Sequence, residues 1–539
     1  MRFFASGEFC VRFFAPLPMS GPSLVGRLSA RGAAPALIDA HGAYRYGALT
    51  AHSRALAQRI AAAVPPPAAP ARPPRVAYMC PRDSTYVQSQ LATWHLGYIG
   101  VPIAENYPAS EIEYVLRNCG ASLVLADASK ASAIGPVAAA LQLPLLEVAR
   151  MPPCGASLEA LRSSAPAPLP APPHPEAQPW QAGADGGAML IYTSGTTGRP
   201  KGVLTTHRAL QRQVTALTEA WAWSAADHTY SVLPLHHVHA VVAILNSALW
   251  SGGVCELAPR FLAADTWAAL TRPPGAPGGQ LSVFMAVPTV YAKLLEHYDA
   301  QAPGVQAAWR AALRPPHARL RLMVSGSAAL PQSIAQRWAE VSGQALLERY
   351  GMTEFAMAIS NPLAGARKLN SVGRPLPGYE VRLEAGGDGG APPEGFAACG
   401  EIQVRGEGVF GEYWGNPAAT AESFAEGGWF RTGDLGALDA EGYTFILGRI
   451  SADIIKSGGF KISALDIERE LLLHPRVGEA AVLGLADETW GEKVAAVVSL
   501  RGGDEAAAAA AGEALLAQPG GAAALHAEIK EFLKDKLPP

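Results

Sequence analysis

Tyr192-Thr193-Ser194-Gly195-Thr196-Thr197-Gly198-Arg199-Pro200-Lys201-Gly202 follows directly on the apolar run Ala188-Met189-Leu190-Ile191. A run that short reads as a buried strand, and the glycines release the chain from it into a turn. Successive backbone N–H groups in such a turn converge on an anion, while Ser, Thr and Lys side chains add donors and charge. The stretch predicts a polyphosphate cradle at the end of a strand. It is not a Walker A loop, because no lysine follows the second glycine at the required spacing. On composition alone a Ser/Thr/Gly-rich surface loop is the favoured reading, so the order of residues and the remainder of the chain have to decide.

The 539 residues are long enough for several domains or subdomains. With 49% hydrophobic and 17% charged residues, large buried cores are expected. A net charge of −3 gives no sign of a nucleic-acid or anionic-membrane partner. Six cysteines stand scattered at 10, 80, 119, 154, 255 and 399 without CxxC spacing, which reads as reduced thiols rather than disulfides or zinc. No apolar stretch is long enough to span a bilayer. Residues 1–20 carry Arg2 and Arg12, five phenylalanines and a single acid, Glu8, which fits either a targeting segment or a variable start. The compartment, mitochondrial or cytoplasmic, is left undecided, as is the oligomeric state.

Proline-rich segments at Pro65–Pro74 and Pro166–Pro179 read as linkers. Strand-like runs such as Arg75–Met79, Ser122–Ala126, Leu281–Val287 and Leu320–Ser325 alternate with helical patterns at Glu111–Asn118, Thr289–Tyr298 and Ile334–Val341. That alternation predicts a layered α/β architecture with mostly parallel strands. From Gly378 shorter β-like runs take over (Glu380–Leu383, Glu401–Val404), and beyond Arg449 a compact α/β unit follows with a helix over Ala464–Leu473 and a strand over Ala480–Gly484. An Ala/Gly-rich tract, 502–524, interrupts this unit.

Three further strings carry chemistry. Arg349-Tyr350-Gly351-Met352-Thr353-Glu354 reads in isolation as a helix N-cap beside an acid. Gly428-Trp429-Phe430-Arg431-Thr432-Gly433-Asp434-Leu435-Gly436 alone contains only a turn. Leu233-Pro234-Leu235-His236-His237-Val238-His239 clusters three histidines without a neighbouring Cys or acid to complete a metal site. Taken with the loop at Tyr192–Gly202, however, the strings resemble the adenylate-forming superfamily of acyl-CoA synthetases, luciferases and peptide-synthetase adenylation domains. The resemblance implies a large N-terminal adenylation domain of layered sheets and helices, residues 21–448, and a small mobile α+β domain, 449–539.

The same resemblance assigns roles position by position. Thr193, Ser194, Gly195, Thr196, Thr197, Gly198 and Lys201 would hold the ATP phosphates, Tyr350 would stack on adenine, and Thr353 would meet the α-phosphate. Glu354 would help hold Mg²⁺, a hard cation that prefers carboxylate oxygen and bridges phosphates. Asp434 would accept from the ribose hydroxyls and Arg449 would also meet the nucleotide. His237 matches the family's histidine beside the acyl pocket, with His236 in place of the usual aromatic and His239 on the same wall. Ser325-Gly326-Ser327 would border adenine and the acid, with Ser327 toward the nucleotide and Ser325 toward the acid. Gly458 and Gly459 would line the CoA tunnel. Catalysis would fall to Thr353, Glu354, His237 and Lys201.

Within the superfamily the chain is most similar to the malonyl-CoA synthetases, in the His-rich stretch, in Ser325–Pro331 and in Asp453–Leu465. Malonate is therefore the favoured acid, with methylmalonate as a variant and a generic short- or medium-chain fatty acid as the alternative. A dicarboxylate leaves one charge unreacted, and burying it demands a partner, for which Arg is the natural bidentate choice. Arg367 is the first candidate, with Lys293 and Arg260 behind it. The hinge of the small domain is expected at Ser451 or Asp453. The family's C-terminal Gly-Lys lysine has no counterpart before Leu537-Pro538-Pro539, and Lys534 and Lys536 stand in a helical context. The expectation is an incomplete small domain that adenylates poorly, and with it the alternative of a nucleotide-binding protein without turnover.

Overall fold

A computed structural model describes residues 2–3, 9–12, 23–64, 72–163, 186–193, 199–314, 319–384, 392, 394–457, 460–487, 490–501, 509–510, 513–515, 518 and 521–534. Among these the strands form three sheets. The largest has a parallel centre in which Pro35–Asp39, Val254–Leu257, His228–Ser231, Val283–Ala286, Leu322–Ser325 and Leu347–Tyr350 lie side by side. Their near-continuous Val, Leu, Met and Phe content is that of strands covered on both faces. Beyond Tyr350 the same sheet turns antiparallel through Ile359–Ser360, Ser371–Pro375, Thr444–Arg449, Trp429–Leu438, Ala398–Gly406 and Tyr379–Glu384. Phe9–Arg12 pairs onto the edge at Tyr379–Glu384, so part of the segment expected to be a leader or variable start has strand pairing.

The second sheet stacks Arg75–Met79, Ile99–Pro102, Leu123–Ala126 and Leu145–Glu147 in parallel, then adds the hairpin of Gly187–Thr193 and Lys201–Thr206. The third belongs to the small unit and consists of Ile454–Ser457, Phe460–Ser463, Val477–Asp487 and Gly491–Leu500. One continuous apolar core runs under the first sheet and into the second, and a separate small core around Ile455, Ile467 and Leu471 holds the third. Layered sheets with a smaller C-terminal unit are what the alternation of runs predicts.

Element positions follow local chemistry. The helix Ala109–Cys119 buries Ile112, Val115, Leu116 and Cys119 on one stripe, and Gly120 at φ +60 ends it in the left-handed cap that glycine takes without strain. The helix Pro288–Asp299 starts on a proline at its first position, where the missing N–H removes a bond the helix would not make. Cys80, Cys119, Cys154 and Cys255 carry free thiols. No helix among the described residues is long and apolar enough to cross a membrane. Of the Ala/Gly-rich tract only short fragments are described, and Gly521–Leu533 continues as helix.

Candidate active site

The decisive hairpin brings Thr193 and Lys201 directly opposite each other, with the Thr193 hydroxyl 3.4 Å from the Lys201 carbonyl. Residues 194–198, the tip that carries Ser194, Gly195, Thr196, Thr197 and Gly198, lie outside the described residues, as do Gly458, Gly459 and Lys536. Lys201 is exposed beyond the hairpin and stands 5.0 Å from the centre of the Tyr413 ring. Tyr413 was not singled out by sequence, yet its hydroxyl donates to Glu354 Oε1 at 2.7 Å. Glu354 is only 5% exposed, and burial pushes its carboxyl up while the Tyr413 hydroxyl pulls it back. Thr353 precedes it in the same turn, half-buried.

At the carboxyl ends of the parallel strands lies a cavity of about 360 Å³ whose lining includes Ser325, Ser327, Arg349, Tyr350, Asp434 and Arg449. That end of an open parallel sheet is where ligands generally bind. Asp434 and Arg449 face each other across antiparallel strands, and the guanidinium Nε reaches Asp434 Oδ1 at 2.6 Å. The Tyr350 hydroxyl donates to the other oxygen, Oδ2. The carboxylate is thus pinned from both sides, while burial pushes its carboxyl up against the pull of Arg449. A larger space of about 1720 Å³ opens between Lys293, Asp299 and the small unit's sheet, but of the expected site residues only Lys293 reaches it. The smaller cavity is the one lined by Ser325, Ser327, Tyr350, Asp434 and Arg449 of the quoted motifs.

Its inner wall is unusual. Arg349 is 3% exposed, and burial lowers its pKa to about 9. One terminal N–H reaches Ser327 Oγ at 3.2 Å, Nε has no partner among the described residues, and no carboxylate pairs with it. Gly326 makes the room, since a Cβ there would stand 2.7 Å from the guanidinium carbon. Ser327 Oγ also lies 3.2 Å from His239 Nδ1. His239 Nε2 is buried without a partner among the described residues, and so is Ser325 Oγ. Ser327 holds φ at +71, a strained conformation for a residue with a Cβ. His239 opens a π-helical stretch, His239–Asn246, a form that recurs at functional sites.

The other two histidines do not line this cavity. His236 and His237 have ring centres 4.2 Å apart, and His236 is 6.2 Å from Tyr107. Burial lowers the pKa of His236 to about 3 and moves His237 in the same direction. No group of three or more metal-ligating side chains occurs among the described residues, so the histidines do not form a metal centre there.

The cations expected to meet a distal carboxylate are engaged elsewhere. Arg367 donates to the carbonyls of Ala345 at 2.6 Å, Leu363 at 2.9 Å and Pro362 at 3.3 Å, so it caps chain ends instead of lining the cavity. Lys293 is exposed and pairs with Glu296 at 3.0 Å. Arg260 is exposed at a loop. None of these three lines the cavity; Arg349, a residue inside a quoted motif to which sequence assigned no role, does. Its signal was an arginine directly before Tyr350; that it lacks an acidic partner among the described residues is visible only in three dimensions.

Of the two hinge candidates, Asp453 is the one anchored at the joint to the small unit. Asp453 Oδ2 accepts from Arg449 N at 2.8 Å, and its backbone carbonyl accepts from Ala464 N at 2.7 Å. Gly448 at φ +141 passes beneath it, where a Cβ would meet Asp453 Cβ at 2.8 Å. Ser451 is exposed in the intervening turn with no such anchors. Lys534 is exposed and faces Glu531 at 3.4 Å.

Comparison with known proteins agrees with this geometry. The family described as AMP-binding enzyme matches residues 27–414, and its C-terminal domain matches residues 466–539. The chain is 43% identical over 487 residues to the mitochondrial malonate–CoA ligase of Xenopus laevis, covering 87% of this chain and 81% of that one. It is 38% identical over 435 residues to the malonate–CoA ligase of Arabidopsis thaliana, covering 79% and 67%. Among solved structures, ATP-bound MatB from Rhodopseudomonas palustris superposes with a TM-score of 0.75 at 29% identity, covering 96% of this chain and 92% of that one. A malonyl-CoA ligase with methylmalonyl-CoA and AMP bound gives 0.62 at 33% identity, covering 94% of each chain.

Proposed function

This chain belongs to the AMP-binding enzyme family, and on that premise we propose that it joins malonate to coenzyme A using ATP, through an acyl-adenylate. In the first half-reaction a malonate oxygen attacks the α-phosphorus in line, the bond to the β-phosphate oxygen breaks, and pyrophosphate leaves. In the second, the CoA thiol attacks the acyl carbon and AMP departs. Charge spreads over phosphate oxygens in the first step, so the protein's work is positioning and electrostatic stabilisation. The loop from Thr193 to Lys201 and Thr353 serve the phosphates, Asp434 and Arg449 the ribose, and Tyr350 the adenine. Asp434 exchanges its present Tyr350 and Arg449 contacts for ribose hydroxyls.

Mg²⁺ suits this site. A buried carboxylate, Glu354, with one oxygen held by a tyrosine leaves a hard donor beside the phosphate loop, and Mg²⁺ is commonly held by one or two carboxylates plus substrate phosphates. When bound, the ion neutralises phosphate charge.

The observation that carries malonate is the unpaired wall. A buried guanidinium with no acid among the described residues, flanked by an orphan histidine nitrogen and an orphan serine hydroxyl, is a pocket short of one anion. A monocarboxylic acid spends its only charge on phosphorus and leaves Arg349 unpaired, whereas malonate satisfies it with the second carboxylate. Methylmalonate carries the same pair of charges and is a second substrate. The names of the vertebrate relatives favour a mitochondrial location. Acid-dependent pyrophosphate release, run in parallel with CoA transfer from preformed malonyl-AMP, tests the reading with malonate, methylmalonate, butyrate and octanoate. Malonate is expected to lead; equal use of butyrate would defeat the assignment.

A further inference from the structure

Glu354 does not hold its orientation alone. The two-residue strand Glu412–Tyr413 lies antiparallel to Lys201–Thr206, with Tyr413 opposite Val203. Backbone bonds from Gly411 N to Leu204 O at 2.8 Å and from Trp414 N to Gly202 O at 2.7 Å fasten it there. From that edge the Tyr413 side chain reaches inward to Glu354 Oε1 at 2.7 Å, and Phe410 N donates to the Glu354 carbonyl at 2.6 Å. The same ring carries Lys201 Nζ 5.0 Å from its centre. Tyr413 is 8% exposed. A phenol has one proton, and this one goes to Oε1, so among the described residues Oε2 is the oxygen left without a side-chain partner.

We propose that Tyr413 is a positioning residue for the divalent cation that accompanies the nucleotide: it fixes Glu354 with Oε2 presented and ties the Lys201 end of the phosphate loop to that carboxylate. The proposal rests on Glu354 as the cation's ligand. It assigns the strand Glu412–Tyr413 a function that neither its length nor its edge position indicates. Partners that orient a metal ligand typically change metal affinity 10- to 100-fold when removed, and a single neutral donor belongs at the lower end.

The test is a Mg²⁺ titration of binding of a non-hydrolysable ATP analogue, followed by calorimetry without turnover, on the whole chain. Tyr413→Phe keeps the ring and its cover over Phe410, and circular dichroism checks the fold. The expected result is unchanged affinity without Mg²⁺ and about a tenfold higher Mg²⁺ concentration for half-effect. Tyr413→His, which retains a ring donor, is expected to recover part of the response and serves if the Phe variant does not fold. Glu354→Gln is expected to lose the Mg²⁺ effect, and Tyr413→Phe added to it changes nothing further. If Glu354→Gln keeps a normal Mg²⁺ response, the ligand assignment itself fails. If Glu354→Gln loses it but Tyr413→Phe responds normally, or weakens binding equally with and without Mg²⁺, Tyr413 is structural and the proposal is overturned.

Discussion

Replacing Arg349 with Met separates substrate recognition from folding more cleanly than any other change in this site. Arg349 is 3% exposed and has, among the described residues, neither a carboxylate partner nor an acceptor for Nε. Two unit charges 4 Å apart at an effective dielectric near 20 interact by about 4 kcal/mol. Removing one partner of a buried pair costs a similar 3–5 kcal/mol. The distal carboxylate of malonate should therefore lose about three orders of magnitude in kcat/KM. Stability should move the other way. Burial holds the free arginine's pKa down at about 9, a desolvation cost that nothing repays in the unliganded protein, and a neutral side chain of similar length removes it. Arg349→Met is accordingly expected to melt at the same temperature or higher, and to lose the thermal shift that malonate gives in the presence of an ATP analogue. Butyrate, if used at all, should be spared. A folded variant in which malonate and butyrate decline in parallel, or in which malonate use is unchanged, would refute the reasoning.

Three further outcomes follow from the same geometry. Arg367→Ala should cost about 1–3 kcal/mol of stability, because three carbonyls lose their donor, and leave the KM for malonate unchanged; a tenfold rise in KM without a drop in melting temperature would restore Arg367 as the carboxylate partner. His236 is held neutral, its pKa lowered from 6.5 to about 3, so between those values the folded protein binds fewer protons than the unfolded chain. Stability should fall as pH drops below about 6.5, by at most about 1.4 kcal/mol per pH unit, and His236→Phe should flatten that slope in chemical denaturation series. Glu348 is shifted oppositely, raised from 4.5 to about 8 by burial despite Arg469 of the small unit. The folded protein keeps a proton there that the unfolded chain has released, so stability should decline as pH rises from about 4.5 to 8, and Glu348→Gln should remove that decline.

What sequence alone determined is the set of features in which neighbours along the chain do the work. The phosphate hairpin, the turn at Tyr350–Glu354, the strand carrying Asp434 and the glycine before Arg449 are each a local pattern of backbone freedom, donors and apolar period. Their order along the chain was enough to place the family, and with it the layered α/β fold. Asp434 and Arg449 were also legible, since the short stretch between their strands brings them into register. What only the tertiary structure decided is which charges are paired. Arg367 and Arg349 are indistinguishable as arginines near a motif. One is spent on carbonyls of its own and a neighbouring loop, while the other is enclosed by Gly326, Ser327 and His239 with no acid in reach. Likewise nothing between Glu354 and Tyr413 in the sequence announces that an edge strand carries the phenol onto the carboxylate. Being unpaired, or being held, depends on residues distant in the chain, and burial makes that difference worth several kcal/mol where solvent would erase it.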